Sequence, residues 1–351
     1  MDRRVFLCGG AAVLAGVTLP SRLLAAEGLG DDDTIDRLAR GVARWVARGV
    51  GEGDFSTGHR LFDREWMFGT HQMAALGFGQ WALRRPERRD EAVALMDTCL
   101  DRMLDDDGRA FDRASWGEDA LQSRRGHAAY LGYLGLALGL RAKLGPSRFD
   151  GLGFAERIAA RVGGEPCGVF ETYPGERYPV DVAAGVGALG LFGGHDALVR
   201  AWGERLRRDY VVGGVLVQSV RGDGTPLDAP RGSGTFLAAY FLSFADPALS
   251  RALYEGGRDA LFDTVAGFGA MREYVGDGRG DIDSGPIVAG LGVSATGFAI
   301  GPARVHGDDA TLRALVATAT FFGRPVDSGD ARNWATGGPL GDAILFAMMS
   351  A

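Results

Sequence analysis

The sequence predicts an all-α protein, and three observations predict it. Two kinds of helical segment alternate along the chain, the alternation returns six times, and the connections that join the two kinds are unequal in length. Residues 35–50 set Ile35, Leu38, Val42 and Val46 at three- and four-residue steps, the pattern of a helix with one face in solvent. Residues 63–83 form a helix that is apolar all round and therefore has to be buried. Residues 88–106 return to the amphipathic, Arg-rich kind, with Val93, Met96, Cys99 and Met103 on one stripe. Residues 126–144 are again apolar and rich in Gly and Ala, small enough to let backbones approach closely. Segments 153–162 and 180–192, 196–210 and 232–244, 248–262 and 286–303, and 310–322 and 339–349 complete the alternation. Six amphipathic outer helices around six apolar inner ones describe an (α/α)6 toroid, expected as a single domain over residues 27–351.

Loop lengths give the toroid a polarity. Turns from an inner helix to the next outer one are short, as at Arg85-Pro86-Glu87, Gly145-Pro146-Ser147, Gly193-Gly194-His195 and Ala245-Asp246-Pro247. Outer-to-inner connections over residues 111–125, 164–179, 211–231 and 267–285 are long and polar, with short strand-like pieces such as Val215-Leu216-Val217-Gln218. The long loops meet at one mouth, where the inner helices begin, and function gathers on such loops.

Composition narrows the function. With 46% hydrophobic and 24% charged residues the chain lacks the signature of disorder, and its 56 glycines follow no three-residue period. Acidic residues outnumber basic ones 45 to 38, and no basic stripe follows the first residues, which excludes a nucleic-acid partner. Lys143 is the only lysine, which argues against Schiff-base chemistry. At the amino terminus Arg3-Arg4 precedes an apolar stretch from Val5 to Leu19, then Pro20 and a small-residue cleavage site around Leu24-Ala25-Ala26. Residues 1–26 therefore read as a twin-arginine export signal, and the protein is expected in the periplasm or outside the cell. No later segment is long and apolar enough to span a membrane. Cys99 and Cys167 leave one disulfide open but no zinc site built on CxxC pairs.

Several motifs carry less than they promise. Gly185-Val186-Gly187-Ala188-Leu189-Gly190 matches GxGxxG, but no core strand precedes it and it belongs to the apolar helix series. Asp281-Ile282-Asp283-Ser284-Gly285 lacks the glycine spacing and final Glu of a calcium loop. His59, His71 and His127 belong to the long-loop end without metal-ligand spacing, whereas His195 and His306 fall among the short turns as turn or cap residues. No cofactor or metal is expected.

The densest chemistry at the mouth is Glu171-Thr172-Tyr173-Pro174-Gly175-Glu176-Arg177-Tyr178-Pro179-Val180-Asp181, just before a buried helix. Glu171 and Asp181 are ten residues apart in a loop that can fold back. Two carboxylates in one pocket push their pKa values apart into an acid and a base. The other reading has Asp181 capping its helix and Glu171 paired with Arg177. His127 opens an inner helix and would relay a proton or orient a substrate. Asp63, Trp66, His71, Tyr173, Glu176, Arg231, Asp283 and Trp334 complete the candidate set, acids and rings suited to a neutral hydroxylated small molecule or a glycan.

Gly126-His127 with its following helix, Gly168-Val169-Phe170-Glu171 through Leu189, and residues 227–262 resemble the linalool dehydratase-isomerase family over about half the chain. The resemblance implies an exported (α/α)6 protein, a ring oligomer, and cofactor-free acid/base dehydration and isomerisation of a terpene alcohol, with His127 at the family's active-site His. Near the family's two catalytic cysteines this chain carries Glu171 and Asp181, with Cys167 upstream. Gly234 stands nearest the family's tyrosine on the fourth inner helix. Six-hairpin glycosidases and polysaccharide lyases share the architecture. Three functions follow: a hydro-lyase or isomerase with a narrow apolar cavity, a glycan-active enzyme with a groove lined by Trp66 and Trp334, and a non-catalytic periplasmic binding protein.

Overall fold

The computed structural model describes residues 32–265, 267–282 and 284–351; the expected signal over residues 1–26 and the candidate Asp283 lie outside the described residues. Most of the described chain is helical. In chain order the helices are α1 (Asp32–Arg48), α2 (Arg60–Arg84), α3 (Arg89–Leu104), α4 (Ala110–Trp116), α5 (Ala128–Lys143), α6 (Phe154–Gly164) and α7 (Pro179–Phe192). They continue as α8 (Asp196–Arg205), α9 (Gly232–Leu242), α10 (Pro247–Leu261), α11 (Val293–Val305), α12 (Asp309–Gly323) and α13 (Gly338–Ser350). Short strands pair into four antiparallel hairpins: β1 (Val211–Val212) with β2 (Val215–Leu216), β3 (Phe262–Val265) with β4 (Phe268–Met271), β5 (Ile287–Val288) with β6 (Leu291–Gly292), and β7 (Pro325–Ser328) with β8 (Ala331–Trp334). Every hairpin lies in a connection that leads from an amphipathic helix to the next apolar one.

The amphipathic helices form for local reasons. In α1, Ile35, Leu38, Val42 and Val46 are buried, with Asp32 and Asp33 in the first turn and Arg48 in the last opposing the helix dipole. Asp246 caps α10 by accepting the Leu249 N–H, with Pro247 at the first helical position, and Asp308 caps α12 through Thr311 N–H. The apolar helices have no such asymmetry, and α5, α7 and α9 are buried along almost their whole length. They pack in succession: α2 on α5, α5 on α7, α7 on α9, α9 on α11, α11 on α13, and α13 back on α2. Glycine permits the approach. A side chain at Gly132 would meet the Asp181 carbonyl oxygen at 2.6 Å, and one at Gly187 the Phe241 carbonyl oxygen at 2.5 Å.

Three of the four hairpins are tied to the apolar helix that follows by one polar side chain. Thr235 of α9 accepts the Leu216 N–H of β2 at 2.9 Å, and Thr296 of α11 accepts the Met271 N–H of β4 at 3.0 Å. Asp342 of α13 accepts the Trp334 N–H of β8 at 2.8 Å. Asp342 also accepts from the Trp45 indole of α1 at 2.6 Å and the Asn333 amide at 2.8 Å. Burial raises its pKa.

Three details differ from the sequence reading. The fifth apolar segment, expected as helix from residue 286, begins only at Val293, because Ala289 (φ 53°) and Gly290 (φ 84°) form a two-residue turn that reverses the chain between β5 and β6. The connection expected as loop over residues 111–125 opens within the seven-residue α4, Ala110–Trp116. The end of the segment expected as helix to residue 210 winds as a π-turn over Leu206–Tyr210. Cys99 and Cys167 are free and buried, and burial pushes the Cys99 thiol up. Among the described residues no helix is long and apolar enough to cross a membrane.

Asp342 joins three elements, so Asp342→Ala leaves three N–H donors without their acceptor. Urea denaturation should find it less stable than wild type by about 3 kcal/mol or more. A loss under about 1 kcal/mol would show that this carboxylate is not the joint.

Candidate functional site

The polar chemistry nearest the start of α5 is built on His127. Gly126 (φ 55°) and His127 (φ 65°) are both left-handed, which turns the imidazole back toward α4. A left-handed conformation in a residue other than Gly costs roughly 1–2 kcal/mol, so other contacts must hold it. Asp112 of α4 supplies one: its carboxylate oxygens lie 2.8 and 3.0 Å from His127 Nδ1. Trp116, one turn further along α4, supplies another by stacking on the imidazole with ring centroids 4.6 Å apart. A side chain at Gly126 would collide with the Trp116 ring. Arg161 of α6 ties down the loop before His127 by donating to the carbonyls of Ser123 at 2.7 Å and Gly126 at 3.1 Å. Burial lowers its pKa to about 10.

This arrangement prepares a base. Asp112 and His127 are both buried, and burial raises the Asp112 pKa. A carboxylate at Nδ1 favours the tautomer that carries the proton there, which leaves the lone pair on Nε2. Nε2 is buried without a hydrogen-bond partner, with a Glu118 carboxylate oxygen 4.0 Å away. The Glu118 side chain is 39% exposed and leads from the imidazole to solvent.

Asp181 anchors a second cluster. It is buried in the first turn of α7 and accepts the Tyr133 hydroxyl of α5 and the Thr172 hydroxyl, each at 2.6 Å. The two clusters are adjoining: the Trp116 indole donates to the Thr172 carbonyl at 2.9 Å, and Ala128 N–H donates to the Glu171 carbonyl at 3.0 Å. Glu171 itself pairs with Arg177 at 3.0 Å, so the side chains of the expected carboxylate pair take separate partners.

The remaining candidates divide. Asp63 accepts from the Thr57 N–H and hydroxyl, both at 2.9 Å, and fastens the loop before α2. Trp66 stands edge-on to Phe55 with centroids 6.2 Å apart. Tyr173 and Glu176 close a four-residue turn, and the exposed Glu176 accepts from the Tyr178 hydroxyl at 2.7 Å. Three expectations are corrected. Arg231 holds no open face for a substrate: buried, it donates to Glu273 at 2.8 Å and to both Asp281 oxygens. Burial opposes its charge, but the two carboxylates outweigh burial and raise its pKa, while Asp281 is lowered despite burial by the same pair. Trp334 lines no groove; it is buried in the core against Gly323. His71 is buried beside Val50 and the end of α3, and burial holds it down at about 4, with Arg102 adding to the effect.

The faces that the apolar helices turn away from the hairpins are less crowded. Successive helical residues are about 100° apart, so a residue two places from a hairpin-bound one points the opposite way. Leu237, Phe298 and Ile344 hold those places after Thr235, Thr296 and Asp342, and all three are only partly buried. Nothing lies within 4 Å of where a side chain at Gly297 would begin. Tyr133 belongs with them, since its ring lies 5.5 Å from that of Phe241 on α9. Two surface hollows, about 410 Å³ beside Trp202 and about 520 Å³ beside Arg272, are lined by none of the expected site residues. Among the described residues no group of three or more His, Cys, Asp or Glu is placed to hold a metal ion.

Sequence reasoning missed Asp112, Glu118 and Tyr133. The first carried a signal: Asp112 and Trp116 are four residues apart, one face of a helical turn, in a segment read as loop. Comparison with protein-family models and with curated proteins returned no match to this chain.

His71 gives a pH prediction. Its pKa falls from 6.5 to about 4 on folding, so the unfolded chain binds the extra proton and stability is lost as pH drops through that window. The contribution is complete above 6.5 and amounts to about 3 kcal/mol. Denaturation at pH 7 and pH 4 should show this loss in wild type and a loss smaller by about that amount in His71→Met. Equal losses in the two proteins would refute the assignment.

Proposed function

We propose that this chain is an exported (α/α)6 toroid that performs acid/base chemistry on a small hydroxylated substrate, as a hydro-lyase or isomerase. The observation that carries the chemistry is the buried Asp112–His127 pair, with Nδ1 held and Nε2 left without a hydrogen-bond partner. The support for the toroid is the succession of apolar helices that returns from α13 to α2, with the hairpins in the long connections. In that architecture Leu237, Phe298, Ile344 and Tyr133, all only partly buried, would face the centre of the ring as an apolar wall with one phenol. Trp334 is packed in the core rather than offered for stacking, which favours this reading over a glycan groove.

In the proposed reaction the substrate approaches His127 from the side of Glu118. Nε2 removes a proton from the carbon next to the one bearing the hydroxyl group, and Asp112 stabilises the imidazolium that forms. The leaving oxygen takes a proton from the Asp181 cluster, so the C–O bond breaks to give an alkene and water. The return of water at another carbon gives isomerisation.

The test is a panel of small unsaturated alcohols and p-nitrophenyl glycosides incubated with the protein in D2O. NMR should detect solvent deuterium on carbon in one or more alcohols. His127→Gln should lower the rate by about 10²-fold or more, and Asp112→Asn by a comparable factor, with melting little changed. Glycoside cleavage alone, or full exchange in His127→Gln, would overturn the reading. Export makes a separate prediction: mass spectrometry of protein from its native host should find a mature chain beginning near residue 27, and intact Met1 in the cytosol would count against it.

A further inference from the structure

We infer that Tyr133 is the catalytic acid that touches the substrate, and that Asp181 is a positioning residue and proton store acting through it; this rests on the acid/base reading above. The inference comes from placement. From Ala128 to Arg141, every residue of α5 except Tyr133 is buried. Tyr133 reaches past its own neighbour: its hydroxyl donates to Asp181 on α7, and its ring lies 5.5 Å from Phe241 on α9. A side chain of α5 that meets both α7 and α9 lies on the face these helices share, so its remaining exposure opens on that face and not on the flanking layer. Asp181 is withdrawn behind it, buried, with one oxygen accepting from Tyr133 and the other from Thr172. A carboxyl group so held meets a ligand through the phenol.

The proton balance follows. When Asp181 is protonated its hydrogen bond with Tyr133 reverses, the carboxyl O–H donating to the phenol oxygen; Tyr133 then gives its own hydroxyl proton to the leaving oxygen and takes the carboxyl proton of Asp181 in the same step. The C–O bond breaks with its electron pair going to the departing water, and Asp181 remains as carboxylate. His127 has meanwhile gained the proton from carbon, so the protein's total is unchanged, and solvent returns each group to its starting state. Thr172 keeps the carboxyl group turned toward the phenol throughout.

The test uses the full protein labelled with ¹³Cζ-tyrosine, the Tyr133 resonance being assigned by its absence from Tyr133→Phe. That variant keeps the ring against Phe241 and removes only the hydroxyl. In the wild-type protein the resonance should move saturably when the alcohols of the panel are added, and it should also move on Asp181→Asn. With an alcohol that is turned over, Tyr133→Phe should lower kcat by about 10²-fold or more with KM little changed. The Tyr133→Phe/Asp181→Asn double variant should be no slower than Tyr133→Phe alone within about 3-fold, as for residues that act as one unit. A Tyr133 resonance that no alcohol moves would overturn the proposal. So would full kcat in Tyr133→Phe alongside a large loss in Asp181→Asn, which would put Asp181 itself on the substrate. Loss of activity in His127→Gln with none in Tyr133→Phe would sink this inference and leave the acid/base reading standing.

Discussion

Six helices without a polar face have to be covered on every side, and the close contact that covers them runs through glycine. Beside Gly132 and Gly187, a side chain at Gly77 would collide with the Phe346 ring and one at Gly301 would meet the Met348 sulfur at 2.5 Å. Glycine in a helix interior costs about 1 kcal/mol relative to alanine. The cost is offset because the neighbouring helix can then lie against the backbone, where larger side chains would hold it away and leave gaps. The succession of contacts from α2 to α13 and back depends on this approach.

Close packing also decides where polar groups can stand. A buried polar atom needs a partner, and the flanks of the apolar helices have none to offer except each other. Polar residues therefore gather at the first turns, where hairpins and loops arrive with free N–H and hydroxyl groups. Thr235, Thr296 and Asp342 accept from hairpin backbones in this way. Asp181 does the same with two hydroxyls, one of them from Tyr133 beside the Gly132 contact. The approach that brings α5 onto α7 thus sets the phenol against the carboxylate.

His127 solves a different problem at the same end of α5. Its left-handed backbone is unfavourable, and Asp112 and Trp116 hold it from α4. Asp112, Trp116, Thr172 and Asp181 form a connected path, since the Trp116 indole donates to the Thr172 carbonyl and the Thr172 hydroxyl donates to Asp181. In the proposed reaction the base and the acid stand along this one path, which would keep their separation fixed, as a reaction needing both at once requires.

The sequence by itself determined the helices and their two kinds, because burial of a helix is written in the period of its apolar residues: Ile35, Leu38, Val42 and Val46 on one side of α1, apolar residues on all sides of α7. It also marked the long connections as the place of the hairpins, the His127 position, and Asp181, since each is a matter of local pattern. What it could not decide was which polar side chain meets which. Arg231 and Trp334 looked like ligand-facing residues, yet one is engaged by Glu273 and Asp281 from 42 and 50 residues away and the other is buried against Gly323. Tyr133 and Asp181 are 48 residues apart, and nothing in either neighbourhood names the other. Hydrogen bonds of this kind depend on direction and on distances of a few tenths of an ångström, which are set only when helices from distant parts of the chain come to rest against one another.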